Sequence, residues 1–294
     1  MPGVFIQDDD VVLYVTEECN SNCIMCPMSL DSRKRGRHLR AEEWDDLPEC
    51  LPKDTKHITI TGGEPFLEYQ QMIPALHRIN AAFPGTEILI LTNGRALSVR
   101  SVYDETDPTI SERMCFAIPI HGPDPETHDS ITQSPGSFDQ AIKGIRKLKS
   151  TNAEIEIRIV GHRLNHGKIS ETFCMLADSD LRITKINLIA MEMTGCAAAN
   201  RKELWIDYDE LCLEAETGIR YAVHKGINVG LYNFPLCTVP GELWPIAKNS
   251  ITPSKIRYAP ECAECRERQA CGGLFQSTFL LNLCKIHPYE RKRC

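Results

Sequence analysis

Residues 11–26 read VVLYVTEECNSNCIMC, in which an apolar run is followed at once by three cysteines, Cys19, Cys23 and Cys26. The run is rich in residues that favour β-structure and predicts a buried strand over 11–16. The cysteines have the spacing C-x3-C-x2-C, so one short polar loop carries three thiols. Parallel α/β sheets place their functional loops at the ends of strands, and this segment has that form.

Three thiolates on one loop permit chemistry that four do not. Four nearby thiolates close a metal site and make it structural. Three can hold a four-iron four-sulfur (4Fe–4S) cluster and leave one iron free to bind another molecule. A zinc knuckle needs a fourth ligand, and no His or Cys occurs in the ten residues after Cys26. Structural cysteines prefer apolar surroundings, so the pattern favours a catalytic cluster held by Cys19, Cys23 and Cys26.

Short apolar runs alternate with helical patterns over most of the chain. Candidate strands cover residues 11–16, 57–61, 87–92, 115–120, 154–160 and 185–190. Such alternation is typical of βαβ units that build a parallel sheet. Six units are too few for an eight-stranded barrel, so we predict an α/β fold with a partial (β/α)6 parallel barrel over residues 1–226. The chain then becomes rich in Pro and Cys, which predicts a small cysteine-rich domain over 227–294.

Polar residues directly follow the predicted strands. The turn Gly62-Gly63-Glu64-Pro65 follows the second strand, Asn93 follows the third and His121 follows the fourth. Because parallel strands end at one edge of a sheet, we expect these residues to meet the cysteine loop. In the fifth strand Glu156 and Arg158 alternate with isoleucines, so they lie either inside the barrel or on a wet outer face.

Composition and charge exclude several classes of protein. The chain has 294 residues and a formal net charge of −7, which disfavours nucleic acid as a partner because phosphate binding needs a basic surface. The apolar runs are too short to cross a membrane. The N-terminus lacks the basic and apolar regions of a signal peptide, so a cytoplasmic location is expected. In that reducing compartment the 14 cysteines are expected to be ligands or buried thiols rather than disulfides.

The cysteine triad after the first strand, together with the Gly62-Gly63-Glu64-Pro65 turn after the second, resembles the radical S-adenosylmethionine (SAM) enzymes. The resemblance implies that SAM chelates the open iron of the cluster through its amino and carboxylate groups. One electron from the cluster then cleaves SAM, and the 5′-deoxyadenosyl radical so formed abstracts hydrogen from a substrate.

The resemblance also implies roles for residues around SAM. The Gly62–Pro65 turn is expected to position the amino group, because glycine lets the backbone approach closely. Met25, where the family usually has an aromatic residue, is expected to cover the adenine. Arg158 is expected to bind the carboxylate through its guanidinium fork, and Asn93 is expected to contact the cofactor. His121 is expected either to contact the ribose or to be a hydrogen-bonded loop histidine.

The C-terminal part carries a second set of cysteines. These are Cys237, Cys262, Cys265 and Cys271. Four thiolates make a closed set, suited to zinc or to a second 4Fe–4S cluster. The arrangement resembles the twitch or SPASM-like extensions of radical SAM peptide maturases, which implies one auxiliary 4Fe–4S cluster. Cys284 and Cys294 are spare candidates for the ligand set.

Segments 92–95, 232–237 and 262–275 resemble the maturases of His-Xaa-Ser repeat peptide systems. This resemblance implies a ribosomally made precursor peptide as substrate, modified at an unactivated carbon. Only ten residues precede the first predicted strand, so the peptide is expected to be recognised either by a separate peptide-recognition protein or by the barrel itself. The basic stretch 33–37 either steers an acidic partner, such as a flavodoxin-like electron donor, or is a solvated loop. Two other functions stay open: a radical SAM enzyme that acts on a small metabolite or cofactor precursor, and a non-catalytic metal-binding scaffold.

Overall fold

Nine strands form one sheet in the computed structural model, which describes residues 3–7, 10–34 and 36–289. The strands are β1 Val4–Gln7, β2 Asp10–Thr16, β3 His57–Gly62, β4 Glu87–Leu91, β5 Met114–Pro119, β6 Glu154–Gly161, β7 Lys185–Ala190, β8 Asn228–Tyr232 and β9 Ala247–Lys248. β1 pairs antiparallel with β2, and β2 to β9 are parallel in chain order. The predicted parallel α/β fold is confirmed, with two parallel strands beyond the six expected.

Helices connect the strands and cover the outer face of the sheet. Within the described ranges they are α1 Leu30–Lys34, α2 Ala41–Asp45, α3 Leu47–Cys50, α4 Tyr69–Ala82, α5 Arg100–Thr106, α6 Pro125–Thr132, α7 Ser137–Leu148, α8 Ile169–Asp178, α9 Gly195–Ala199, α10 Arg201–Leu204, α11 Tyr208–His224 and α12 Gln276–Leu280. Local sequence sets the start of α6, where the Asp124 carboxylate accepts a hydrogen bond of 2.7 Å from the backbone N–H of Thr127.

The two faces of the strands differ in polarity. Ile155, Ile157 and Ile159 of β6 are fully buried in the core that the sheet shares with the helices. Glu156 and Arg158 face the other way and line a cavity of about 600 Å³ inside the barrel, among residues from the N-terminal halves of the strands. Of the two placements open for this pair, the structure shows the interior one. At this end the inside of the barrel is therefore an open lumen with both charged and apolar walls rather than a packed core.

The sheet continues into the cysteine-rich part of the chain. β8 pairs with β7, and β9 pairs with β8. The predicted boundary between residues 226 and 227 thus falls inside the sheet. Beyond β9, the strands β10 Ile256–Arg257 and β11 Leu274–Phe275 pair antiparallel and bracket three of the cysteines. In the described part of the chain, none of the helices has the length and apolar character needed to cross a membrane.

Candidate active site

The cysteine loop leaves the C-terminal end of β2 and is held by the turn after β3. The N–H of Gly63 donates to the carbonyl of Thr16, and the N–H of Glu64 donates to the carbonyl of Glu18, both at 2.7 Å. A Cβ on Gly63 would lie 2.0 Å from the Glu18 carbonyl oxygen and 2.5 Å from that of Glu17. The glycine is therefore required because two segments of this chain's own backbone meet there.

Glu64 joins the same turn to the end of β4. It is fully buried, and its carboxylate accepts hydrogen bonds from Thr92 Oγ1 at 2.6 Å, from the N–H of Asn93 at 2.7 Å and from the N–H of Phe66 at 3.1 Å. Burial raises the pKa of this carboxyl, although the three hydrogen bonds oppose that rise. Glu64 consequently fixes the position of Asn93 relative to the cysteine loop.

Asn93 and Arg95 follow β4 and donate hydrogen bonds to the cysteine loop. Asn93 Nδ2 donates to Asn20 Oδ1 at 2.6 Å. The Arg95 guanidinium donates to Ser21 Oγ at 2.9 Å and to the Asn20 carbonyl, while its Nε donates to Gln140 Oε1 at 2.6 Å. The loop between Cys19 and Cys23 is thus tied to β4 and to α7 by side chains of the segment 92–95.

The helix α9, which follows β7, closes the far side of the loop. The N–H groups of Cys196 and Ala197 donate to the carbonyls of Met28 at 3.3 Å and Cys26 at 3.2 Å. Gly195 has a φ of +52°, and a Cβ there would lie 2.3 Å from the Pro27 carbonyl oxygen. Sequence reasoning did not find this contact, although the glycine after β7 was a signal that a close approach was needed.

The three thiols share one partly buried environment. Burial raises the pKa of Cys19 to about 11 and that of Cys23 to about 12, and it raises the pKa of Cys26 as well. The N–H groups of Ser21 and Met28 point at the sulfurs of Cys19 and Cys26, each at 3.4 Å, and stabilise their thiolate forms. Ionising these buried thiols costs free energy, and a bound metal centre would supply it because the metal ligates the thiolate form. The N–H donors that already face two of the sulfurs are compatible with such a centre.

The spacing of these groups also bears on the kind of metal centre. Within residues 3–7, 10–34 and 36–289, no three His, Cys, Asp or Glu side chains come close enough to surround a single metal ion. In a 4Fe–4S cluster each thiolate binds a different iron, so the loop cysteines need not converge on one point.

Two other predicted site residues, Met25 and His121, are buried. Met25 is buried beside Met191 and Met193, in a small apolar cluster next to the loop. His121 is 1% exposed and its ring stacks on His128, with ring centroids 5.6 Å apart. Burial lowers the pKa of His121 well below its ordinary value. That Met25 covers the adenine and His121 contacts the ribose stays a prediction.

Arg158 lies level with Pro119, the last residue of β5, and its side chain lines the cavity inside the barrel. Its Nε bonds Glu156 Oε1 at 2.6 Å, and Lys185 Nζ lies 3.6 Å from Glu156 Oε2. All three side chains line the lumen cavity near the N-terminal ends of the strands. The expectation that Arg158 binds the SAM carboxylate stays a prediction, and it requires the guanidinium to be shared with Glu156 or released from it.

The four C-terminal cysteines do come together. They line one pocket: Cys237, Cys262, Cys265 and Cys271. The N–H groups of Leu236 and Gly273 donate to the Cys271 sulfur, each at 3.4 Å. Burial raises the pKa of Cys237 and of Cys262, and the neighbouring Cys271 raises both further. Cys284 lines an adjacent cavity, and Cys294 lies outside the described residues.

The basic stretch 33–37 is less exposed than a solvated loop. Arg33 is 4% exposed, and Arg37 forms an ion pair of 3.5 Å with Glu43. Lys34 is exposed, and Arg35 lies outside the described residues. The described part of this stretch therefore offers few free cations for steering a partner.

Comparison with known proteins gives relatives of several activities. The chain is 27% identical over 247 residues to a probable GTP 3′,8-cyclase of Pyrobaculum aerophilum, covering 82% of this chain and 75% of that protein. It is 25% identical over 265 residues to the sporulation killing factor maturation protein SkfB of Bacillus subtilis, covering 84% of this chain and 60% of that protein. The crystal structure of Streptococcus suis SuiB bound to the precursor peptide SuiA superposes with a TM-score of 0.59 and 15% identity, covering 75% of this chain and 48% of SuiB. The chain thus spans about half the length of SuiB.

A family model agrees with the site geometry. The model of the radical SAM superfamily matches residues 13–175, which is more than half of the chain and includes β2, the cysteine loop and the Gly62–Pro65 turn. Proteins of this fold bind SAM and a 4Fe–4S cluster, and the loop described above has the thiols and N–H donors for such a cluster. This chain belongs to the radical SAM superfamily.

Proposed function

We propose that this protein is a radical SAM enzyme that modifies a side chain of a ribosomally made precursor peptide. The observation that carries the proposal is the presence of two separate thiol sets, the cysteine loop after β2 and the four-cysteine pocket after β9. The second set is the feature that resembles the auxiliary-cluster extensions of peptide maturases. Further support comes from SkfB, a maturation protein by name, and from SuiB, whose structure contains a precursor peptide.

The cluster and SAM, when bound, supply one-electron reduction and hydrogen abstraction. The protein's own contribution is to orient the cluster and SAM and to exclude water from them. Asn93 and Arg95 hold the cysteine loop through side-chain hydrogen bonds on its β4 side, and the Glu64 carboxylate holds the Asn93 backbone in place. Met25 and its methionine neighbours supply an apolar wall beside the loop. Cys19, Cys23 and Cys26 would hold the catalytic cluster, and the Gly62–Pro65 turn would position SAM.

The C-terminal pocket would hold the auxiliary cluster. Beside the cysteines, the pocket is lined by apolar and aromatic side chains, among them Leu236, Tyr258 and Tyr289. Tyr258 donates its hydroxyl to the Cys271 carbonyl at 2.7 Å, which fixes the last ligand of the set. Such a shell limits access of water to a cluster, and access of water is one control on its reduction potential. A separate peptide-recognition protein and a flavodoxin-like electron donor belong to the proposal as partners.

A second function has support of its own. The probable GTP 3′,8-cyclase is matched over 75% of its length, and its name describes chemistry on a nucleotide. In the lumen Arg158 and Lys185 both pair with Glu156, so they would bind an anionic small molecule only by exchanging that partner. The alternative is therefore a radical SAM enzyme that acts on a small phosphorylated or carboxylated metabolite.

The test is anaerobic reconstitution with iron and sulfide, followed by reduction with dithionite in the presence of SAM. Wild-type protein is expected to hold about eight irons, and Cys26→Ala and Cys265→Ala about four each. Cys50→Ala is the matched control, because Cys50 is exposed on α3. We expect 5′-deoxyadenosine from wild type, from Cys50→Ala and from Cys265→Ala, and none from Cys26→Ala.

The substrate is tested in the same preparation. Short peptides encoded beside the gene are added, and their masses are compared before and after the reaction. A mass change that needs SAM and is lost in Cys26→Ala supports the peptide proposal. Consumption of GTP or another small metabolite, with every peptide unchanged, would support the alternative and reject the peptide substrate. Zinc in place of iron at the C-terminal cysteines would reject the auxiliary cluster.

A further inference from the structure

Arg33, on the short helix α1, is a buried cation beside the cysteine loop. Its side chain is almost wholly removed from solvent, with 4% exposure. Nη1 donates to the Ser21 carbonyl at 2.9 Å, and Nη2 donates to the Cys196 sulfur at 3.2 Å. Arg33 and Cys23 line the same cavity of about 360 Å³. The guanidinium is thus fixed between the loop and α9.

Arg33 is a fixed positive charge beside the cysteine loop, because it bonds the Ser21 carbonyl and lines one cavity with Cys23. No carboxylate contacts Arg33 among the described residues, and its two hydrogen bonds go to a carbonyl and a sulfur.

One N–H of Arg33 also lacks a partner. Nε is buried and has no hydrogen-bond acceptor among the described residues. A buried donor without an acceptor is costly, and each such group in a folded protein calls for a partner. Cluster sulfides and cysteine thiolates are acceptors for such a donor, and they would occupy the neighbouring loop when the cluster is bound.

We propose that Arg33 donates a hydrogen bond from Nε to a sulfur of the loop-bound cluster and thereby raises the reduction potential of that cluster. Three thiolates make the centre negative, and one added electron makes it more negative. A fixed buried cation stabilises the reduced form more than the oxidised form. Hydrogen bonds to sulfur and net charge are recognised controls on the potentials of iron–sulfur clusters. In this role Arg33 contacts the cluster directly and need not touch the substrate.

The proposal depends on the cluster that the family binds and not on the identity of the substrate. The experiment is a reductive titration of the reconstituted full chain, monitored by electron paramagnetic resonance. The signal that changes on addition of SAM is followed, since it belongs to the cluster with the open iron. Wild type is compared with Arg33→Gln and Arg33→Lys. Lys34→Gln is the matched control, because it removes one positive charge from an exposed side chain of the same helix.

For Arg33→Gln we expect the equilibrium constant for reduction to fall about tenfold, which is a shift of about 59 mV to more negative potential for one electron. Arg33→Lys keeps the charge and loses the Nε donor, so a smaller shift in the same direction is expected. Lys34→Gln should titrate as wild type does. Iron and sulfide are counted in every sample, and unfolding of each cluster-free variant shows that it folds.

A loaded Arg33→Gln protein with the wild-type midpoint would overturn the proposal and leave Arg33 as a structural tie between the loop and α9. If Arg33→Gln folds but retains no iron, the reduction midpoint of Arg33→Lys decides the proposal. A negative shift in that variant supports the proposal, and a midpoint equal to wild type overturns it. A shift of the same size in Lys34→Gln would also overturn it, since general surface charge would then be the cause.

Discussion

Substitution of Gly63 by alanine tests how the turn after β3 supports the cysteine loop. The added Cβ would lie 2.0 Å from the Glu18 carbonyl oxygen. Ordinary contacts between carbon and oxygen begin at about 3.3 Å, so the two backbone segments must separate by about 1.3 Å. Neither atom belongs to a flexible side chain, and rotation about a side-chain bond therefore gives no relief.

The energetic cost follows from the contacts that this separation disrupts. It breaks the hydrogen bonds from the N–H groups of Gly63 and Glu64 to the carbonyls of Thr16 and Glu18, both now 2.7 Å long. Each bond contributes about 1 kcal/mol net, and overpacking costs about 1–3 kcal/mol. We expect Gly63→Ala to lose about 3–5 kcal/mol of unfolding free energy. Because Glu17 and Glu18 lead directly into Cys19, iron binding should fall as well.

The assay is urea unfolding of the cluster-free protein, with iron and sulfide counted after reconstitution. Gly85→Ala is the control, since a Cβ there meets nothing within 4 Å and Gly85 does not have a positive φ. It should stay within about 0.5 kcal/mol of wild type. A Gly63→Ala protein that unfolds like the control and binds a full complement of iron would refute the steric argument.

Two further predictions concern Arg95 and His162. Arg95→Lys keeps the charge but loses the fork that spans Ser21 and Gln140, so urea unfolding should show a loss of about 1–2 kcal/mol. Arg100→Lys, in an exposed ion pair, should lose less than about 0.5 kcal/mol, and equal losses would contradict the role given to Arg95. Burial lowers the pKa of His162 from 6.5 to about 4. Between pH 6.5 and about 4, His162 is therefore protonated in the unfolded chain but neutral in the folded protein. The free energy of unfolding consequently falls as the pH drops through this range. His162→Gln should reduce that fall by up to about 2.7 kcal/mol between pH 6.5 and about 4.5, and unfolding curves with the same pH dependence as wild type would refute the assignment.

The strands and the edge of the sheet that carries the site could be read from local patterns. An apolar run such as residues 11–16 forms a strand because its side chains have few polar groups to satisfy and favour extended backbone. The loop cysteines and the turn after β3 then reach the same edge, since consecutive parallel strands must end there. β8 was not predicted because Asn228–Tyr232 is short and has Gly230 at its centre. It becomes a strand through its pairing with β7.

The function of individual side chains was harder to infer. That the Gly62–Pro65 turn positions the amino group of SAM stays a prediction, and the structure adds a steric reason for Gly63 within the chain itself. The contact of Arg158 with the SAM carboxylate stays a prediction, and the structure adds its ion pair with Glu156 in the lumen. An arginine has a long, flexible side chain, and its partner depends on which charges the neighbouring strands present. Arg33 was taken for part of a surface stretch because nothing in its local sequence reveals that α9 covers it.

By itself, the sequence determined the parallel α/β architecture, the thiol-bearing loop after β2 and the existence of a second cysteine set, because each depends on residue type and short-range spacing. Only the tertiary structure decided what surrounds the loop. Arg33 and Cys196 are 163 residues apart and meet at 3.2 Å, and Asn93 reaches Asn20 across 73 residues. Contacts of this kind depend on which strand ends lie next to one another and how closely their backbones pack. No local pattern encodes them, because their free energy arises only when the whole sheet has formed.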